Sequence, residues 1–310
     1  MPGDKNLGSE AGVPQCKIRA LTVATRCFQG TTMTQADRDR RAYALAQEYL
    51  LGLHVPGVTA ELLAEYQRPL TRPWDLTGTH GLYRRLLGSA ASPGMAPIVI
   101  EKAIGGIDNL SGVTFGFDPL RVSQHYRGWQ ELLDEIVRTL RPQGKLRRAP
   151  SSVWVRFCSA ALSGARFLVG FRSAQEFYAW ADVFHDDERK VPALPLLLSR
   201  EIFGFGFALA CDFLMDLGYS KLTKPDVHVT AIVGGLGLCE PKADDYAVYK
   251  SVVRIARHQE TTPYDVGQMF WLVGSGHFYR HRNIGKQGRI PTDRDAFIRA
   301  AHIQLDQATG

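Results

Sequence analysis

The residues best suited to chemistry lie in the segment Lys224-Pro225-Asp226-Val227-His228. A carboxylate can stabilise developing positive charge and can orient or deprotonate water. Asp226 follows a proline and precedes an apolar run ending at Leu238, so it is expected at a helix N-terminus. Capping alone would also account for an aspartate at that position. Upstream lies Ile202-Phe203-Gly204-Phe205-Gly206, an apolar-x-Gly-apolar-Gly string. Two glycines one residue apart allow a tight turn and close approach of another backbone. Amides at a glycine-rich turn entering a helix form an anion site that suits a phosphate.

Helices must hold these residues in place. Phe207 to Leu217 is expected as a helix with Phe207, Ala210, Leu214 and Leu217 on one face. Asp212 and Asp216 share the other face, and Gly218 is a suitable C-cap. Further helices are expected after Thr34, with Thr34 or Asp37 as cap, and over Thr59 to Tyr66, from Tyr83, and over Pro97 to Ile107. Trp129 to Leu140, Ser152 to Leu168 and Ala174 to Phe184 complete the set. Residues 105–119 read as loop-rich and 141–150 as a basic loop. Ile98 to Ile100 could form a strand piece, but no βαβ rhythm appears, so the class is mainly α. The charged segment at 185–190 reads as a solvated turn, and no metal site is expected.

The chain has 310 residues, 45% hydrophobic and 22% charged, which is ordinary for a globular protein. A net charge of +6 is compatible with an anionic partner and equally with a solvated basic surface. Cys16, Cys27, Cys158, Cys211 and Cys239 are scattered without a CxxC pair, so neither a disulfide framework nor a zinc ribbon is expected. A reducing, cytoplasmic setting fits. The polar N-terminus lacks the apolar core of a signal peptide, and no run is long enough to span a membrane.

In its central 40 residues or so, the chain resembles the helix-hairpin-helix DNA glycosylases. Gly204 and Gly206 match that family's hairpin glycines. Asp226 and His228 match its Asp-x-His segment, 20 residues beyond Gly206. The apolar helix ending at Leu236-Gly237-Leu238 also fits the pattern. The resemblance implies an all-α, two-lobed helix-hairpin-helix DNA glycosylase fold over residues 35–310, after an N-terminal extension of residues 1–34. The middle lobe would span about 80–225, with the N-terminal helices and C-terminal third forming the other. It implies Asp226 as the catalytic carboxylate and Gly204, Phe205, Gly206, Lys224 and His228 as DNA-binding residues. The expected partner is double-stranded DNA with a flipped base, bound by a monomer without cofactor, metal or membrane.

Departures from the family pattern narrow the chemistry. Bifunctional members carry a Schiff-base lysine two residues after the second hairpin glycine, and here that residue is Ala208. A monofunctional enzyme leaving an abasic site is therefore expected. Lys221 or Lys224 could contact phosphate or replace the missing amine. No cysteine follows Cys239, so the four-cysteine iron–sulfur loop of some members is absent. The loop-rich stretch of 105–150 is similar to that of a phage-defence glycosylase acting on glucosylated hydroxymethylcytosine. Repair of alkylated or oxidised bases, and a non-catalytic DNA-binding module, are the alternatives. Met95 is a candidate wedge, Asp108 and Asn109 are candidate base contacts, and Trp271 to Arg282 could line a cleft or hold a DNA backbone. Leu209 breaks a dinucleotide fingerprint at Gly204-x-Gly206. Tyr246 and Lys250 match the Tyr-x-x-x-Lys of short-chain dehydrogenases, but the nucleotide-binding half is missing.

Overall fold

A computed structural model describes residues 33–72, 77–91, 97–144 and 146–307. Cys16, Cys27, Met95, Lys145 and nearly all of the N-terminal extension lie outside the described residues. Among the described residues the fold is all-α, with fourteen α-helices and no β-strand. In chain order they are α1 (Gln35–Gly52), α2 (Ala60–Gln67), α3 (His80–Ala90), α4 (Pro97–Ile104), α5 (Pro119–His125), α6 (Trp129–Leu140) and α7 (Val153–Leu168). Then follow α8 (Ala174–His185), α9 (Ala193–Glu201), α10 (Phe207–Asp216), α11 (Val227–Gly235), α12 (Asp245–His258), α13 (Pro263–Ser275) and α14 (Arg294–Gln307). No described helix is long and apolar enough to cross a membrane.

Side-chain caps fix many of the helix starts. Thr34, Thr59, Ser152, Ser173, Asp244 and Thr262 each accept a hydrogen bond from a backbone N–H in the first turn of the helix that follows. Two sequence expectations need correcting. Ile98 to Ile100 lie in helix α4, not a strand: three apolar residues carry no period that separates the two. The loop-rich stretch contains a 3-10 turn at Ile107–Ser111, and its last residues start α5, where Asp118 caps and Pro119 supplies a preset first turn.

The buried side chains form two clusters. One runs from Leu82 to Leu222 and adds Tyr249 and Tyr264. The other takes α1 and α2 together with residues between Val229 and Leu305. Helix α7 is the axis of the first, packing against α3, α5 and α6. Its small residues permit this: a Cβ on Gly164 would lie 2.7 Å from Leu86. Helix α13 is the axis of the second and packs against α1, α2, α11, α12 and α14.

Two glycines on α13, two turns apart, let the segment before α11 and the first turn of α11 lie directly on the helix. A Cβ on Gly267 would meet Thr223 Oγ1 at 1.9 Å, and one on Gly274 would meet His228 Cβ at 2.6 Å. In an exposed helix, Gly→Ala stabilises by about 1 kcal/mol. Here the sign should reverse. Gly274→Ala is expected to cost about 1–3 kcal/mol through overpacking, seen as a lower thermal midpoint. A raised midpoint would contradict the close approach.

Candidate active site

A five-residue turn, Ile202 to Gly206, joins α9 to α10. Gly204 has φ +77°, a conformation that favours glycine, and a Cβ there would lie 3.2 Å from the Arg156 carbonyl. Ser163 on α7 accepts from the Phe203 N–H at 2.9 Å, and Phe205 donates its N–H to the Ile202 carbonyl. Phe205 buries its side chain in the first cluster, so only its backbone can meet a ligand, whereas Phe203 is 67% exposed at the tip. Gly206 caps α10 with no side chain, leaving the first-turn amides uncovered by one.

Gly218, at φ +93°, ends α10 and turns the chain towards Asp226. Asp226 is the N-cap of α11. Its Oδ1 accepts from the N–H of His228 at 2.9 Å and of Val229 at 3.0 Å. Thus one carboxylate oxygen is fixed by the backbone, and Oδ2 lies outside the cap. The same aspartate lines a cavity of about 1420 Å³. Gly206, Ala208, Asp212 and Asp216 form one wall of it, from α10. Gln268, Trp271 and Ser275 face them from α13, with His277 and Tyr279 beyond its end.

Lys224 is the electrostatic centre of this cavity. Its Nζ lies 3.1 Å from Asp212 Oδ1. Burial pulls its pKa down, but the carboxylates of Asp212, Asp226 and Asp216 more than reverse this, so it stays a cation. An amine nucleophile must be neutral, so Lys224 is a poor substitute for the lysine that Ala208 replaces. Lys221 is tied elsewhere, donating to the His185 carbonyl at 2.8 Å. Asp216 sits 3.7 Å from Arg85. Burial, then the neighbouring Asp212, pushes its carboxyl up to about 6, against the pull of Arg85, Lys224 and Arg280. Burial also lowers His228, with Arg294 and Arg289 adding to the effect, although Asp226 opposes it. His228 is therefore a neutral imidazole near pH 7.

The sequence-derived candidates thus divide. Asp226, Lys224, His228 and Gly206 all line the cavity, and Gly204 shapes the turn beside it. Trp271, His277, Tyr279 and Arg289 also reach it. Asp108 and Asn109 do not: Asp108 pairs with Arg84 at 2.6 Å and Asn109 donates to the Ile104 carbonyl. Arg280 is held behind the wall, donating to Tyr264 and lying over the Tyr66 ring. Sequence reasoning missed Arg85, Thr223, Tyr264 and Gln268 as cavity residues. No local signal marks them, because they are brought in by the packing of α3 and α13.

Asp216 makes a prediction with a definite sign. A carboxyl with a folded pKa raised above 3.8 stabilises the fold below that value and loses the contribution as pH rises through about 6. Asp216→Asn should therefore raise the thermal midpoint at pH 7.5, and the gain should shrink as pH falls to 4. A midpoint lowered at pH 7.5 would contradict a crowded carboxyl there.

The chain matches no family model, no curated protein and no solved structure at a significant level.

Proposed function

We propose that this chain is a monofunctional DNA glycosylase of the two-lobed helix-hairpin-helix type, acting as a cytoplasmic monomer on double-stranded DNA. The observation that carries the reading is the meeting of the glycine turn and Asp226 on one cavity. Gly206 at the α10 end and Asp226 at the α11 end both line it. The first-turn amides of α10, which no side chain caps, suit a DNA phosphate. Arg156, Arg289 and Arg294 line the same cavity and suit the adjoining backbone.

The chemistry follows from the residues present. The target base leaves the stack and enters the cavity. Its N-glycosidic bond breaks with the electron pair going to the base, and the sugar becomes oxocarbenium-like. The Asp226 carboxylate faces that charge and orients the water that captures it. Oδ1 is held by two backbone amides, so the group is positioned before substrate arrives. Ala208 offers no amine and Lys224 is a paired cation, so hydrolysis without strand cleavage is the expected outcome.

The cavity, about 1420 Å³, would have to take both the DNA backbone and the extruded base. A cytosine carrying a glucosylated hydroxymethyl group, as in phage DNA, would use that space, and the role would then be antiviral defence. Alkylated or oxidised bases are the smaller alternative. The test is incubation with duplexes of each kind, followed by alkali to cut at abasic sites. The wild-type chain should make one class alkali-labile, and Asp226→Asn should slow this by about 10²–10³-fold. If both proteins leave every duplex uncut, the chain is not a glycosylase and a DNA-binding module remains.

A further inference from the structure

The glycine turn borders two cavities. Its last residue, Gly206, lines the cavity of Asp226, while Phe203, three residues earlier, lines a smaller one of about 350 Å³. Helix α7 runs past both. Arg156 lines the first, and Val155, Leu162 and Arg166 line the second. The turn is tied to α7 between them: Gly204 lies against the Arg156 carbonyl, and Ser163 Oγ accepts from the Phe203 N–H at 2.9 Å. Trp129 at the start of α6 and Arg127 just before it complete the smaller cavity.

The surface of this cavity is aromatic and cationic. Phe203 is 67% exposed although Ile202 and Phe205 beside it are buried, so its ring serves the cavity and not the core. The half-buried indole of Trp129 and the buried Val155 and Leu162 add further apolar wall. Arg127 and Arg166 are both exposed, and Arg166 donates to the Arg127 carbonyl at 2.9 Å, which holds its guanidinium next to the start of α6. No carboxylate lines the cavity; Glu131, which accepts from the Arg127 N–H, stands outside the lining. Among the described residues no carboxylate pairs with Arg127, Arg156 or Arg166. Aromatic surface beside uncompensated arginines suits a nucleobase that stacks while its phosphates meet the cations.

Resting on the reading of the glycine turn as a DNA-backbone site, we propose that this second cavity takes an unpaired base from the strand that the turn holds. The preferred DNA then carries single-stranded nucleotides close to the target base. A paired base is stacked inside its duplex and cannot lie against Phe203 and Trp129, so only an unstacked one fits. The spacing sets how close. Arg156 and Arg166 are ten positions apart on α7, about 15 Å at 1.5 Å per residue. At 3.4 Å per step of one strand, that distance is about four nucleotides.

The experiment measures fluorescence anisotropy at one fixed salt concentration on duplexes carrying a single tetrahydrofuran abasic analogue. In one probe the duplex ends four base pairs beyond the analogue, and the strand bearing it continues as a thymidine tail. The others are a blunt duplex, a tail of abasic spacers with the same phosphates, and a thymidine tail that starts about fifteen base pairs away. Both tail polarities are made. For one polarity the near thymidine tail should bind at least about fivefold more tightly than the blunt, spacer-tailed and distant-tailed probes. Phe203→Ala should erase the difference between thymidine and spacer tails, and Phe203→Tyr should keep it. Phe203 is exposed, and a thermal midpoint checks that both variants are folded. No gain from either tail, an equal gain from spacers or from the distant tail, or a gain kept in Phe203→Ala would overturn the inference and leave base excision by Asp226 intact. Failure to bind any of these DNAs would overturn it together with the glycosylase reading.

Discussion

The arrangement depends on one cap. Asp226 Oδ1 satisfies the first free amides of α11, and in doing so fixes the carboxylate in space. A side chain on a flexible loop would lose orientation, whereas here two backbone donors hold it. The cap in turn rests on α13. Gly267 and Gly274 remove the Cβ atoms that would otherwise strike Thr223 and His228. The position of Asp226 is thus set by helix packing in the second cluster, while α10, rooted in the first, supplies the opposite wall of the cavity.

Charge balance is the second constraint. Three carboxylates, from Asp212, Asp216 and Asp226, act on the single ammonium of Lys224. Burial, then the nearby Asp212 carboxylate, pushes the Asp216 carboxyl up to about 6. Arg85 opposes this from α3. Removing Lys224 would leave Asp212 without the ammonium 3.1 Å away, so the first role of Lys224 is electrostatic. A direct phosphate contact would have to compete with Asp212.

Much of this was legible in the sequence, and the physical reasons are local. The all-α class follows from helical spacing of apolar residues and from the absence of strand rhythm. Thr34, Thr59 and Asp226 each stand where a cap must be, because capping is decided by residues within one turn. Gly204 and Gly218 mark left-handed backbone that other residues rarely adopt. The rest depends on contacts far apart in sequence. Nothing near Gly267 or Gly274 says that another segment must pass within touching distance. Arg85 and Asp216 meet across 131 positions, and Tyr264 reaches the cavity only through the packing of α13. Phe205 shows the opposite error. The motif draws attention to it, but its ring belongs to the core, and its neighbour Phe203 is the exposed one.

The central claim is that Asp226 drives release of a base from DNA. Mass spectrometry of free bases is the most direct measurement. DNA containing glucosylated hydroxymethylcytosine and DNA containing alkylated and oxidised bases would be incubated in parallel with the wild-type chain and with Asp226→Asn. The account predicts one class of free modified base from the wild type and almost none from the variant. No free base from any DNA, or equal release by both proteins, would contradict it.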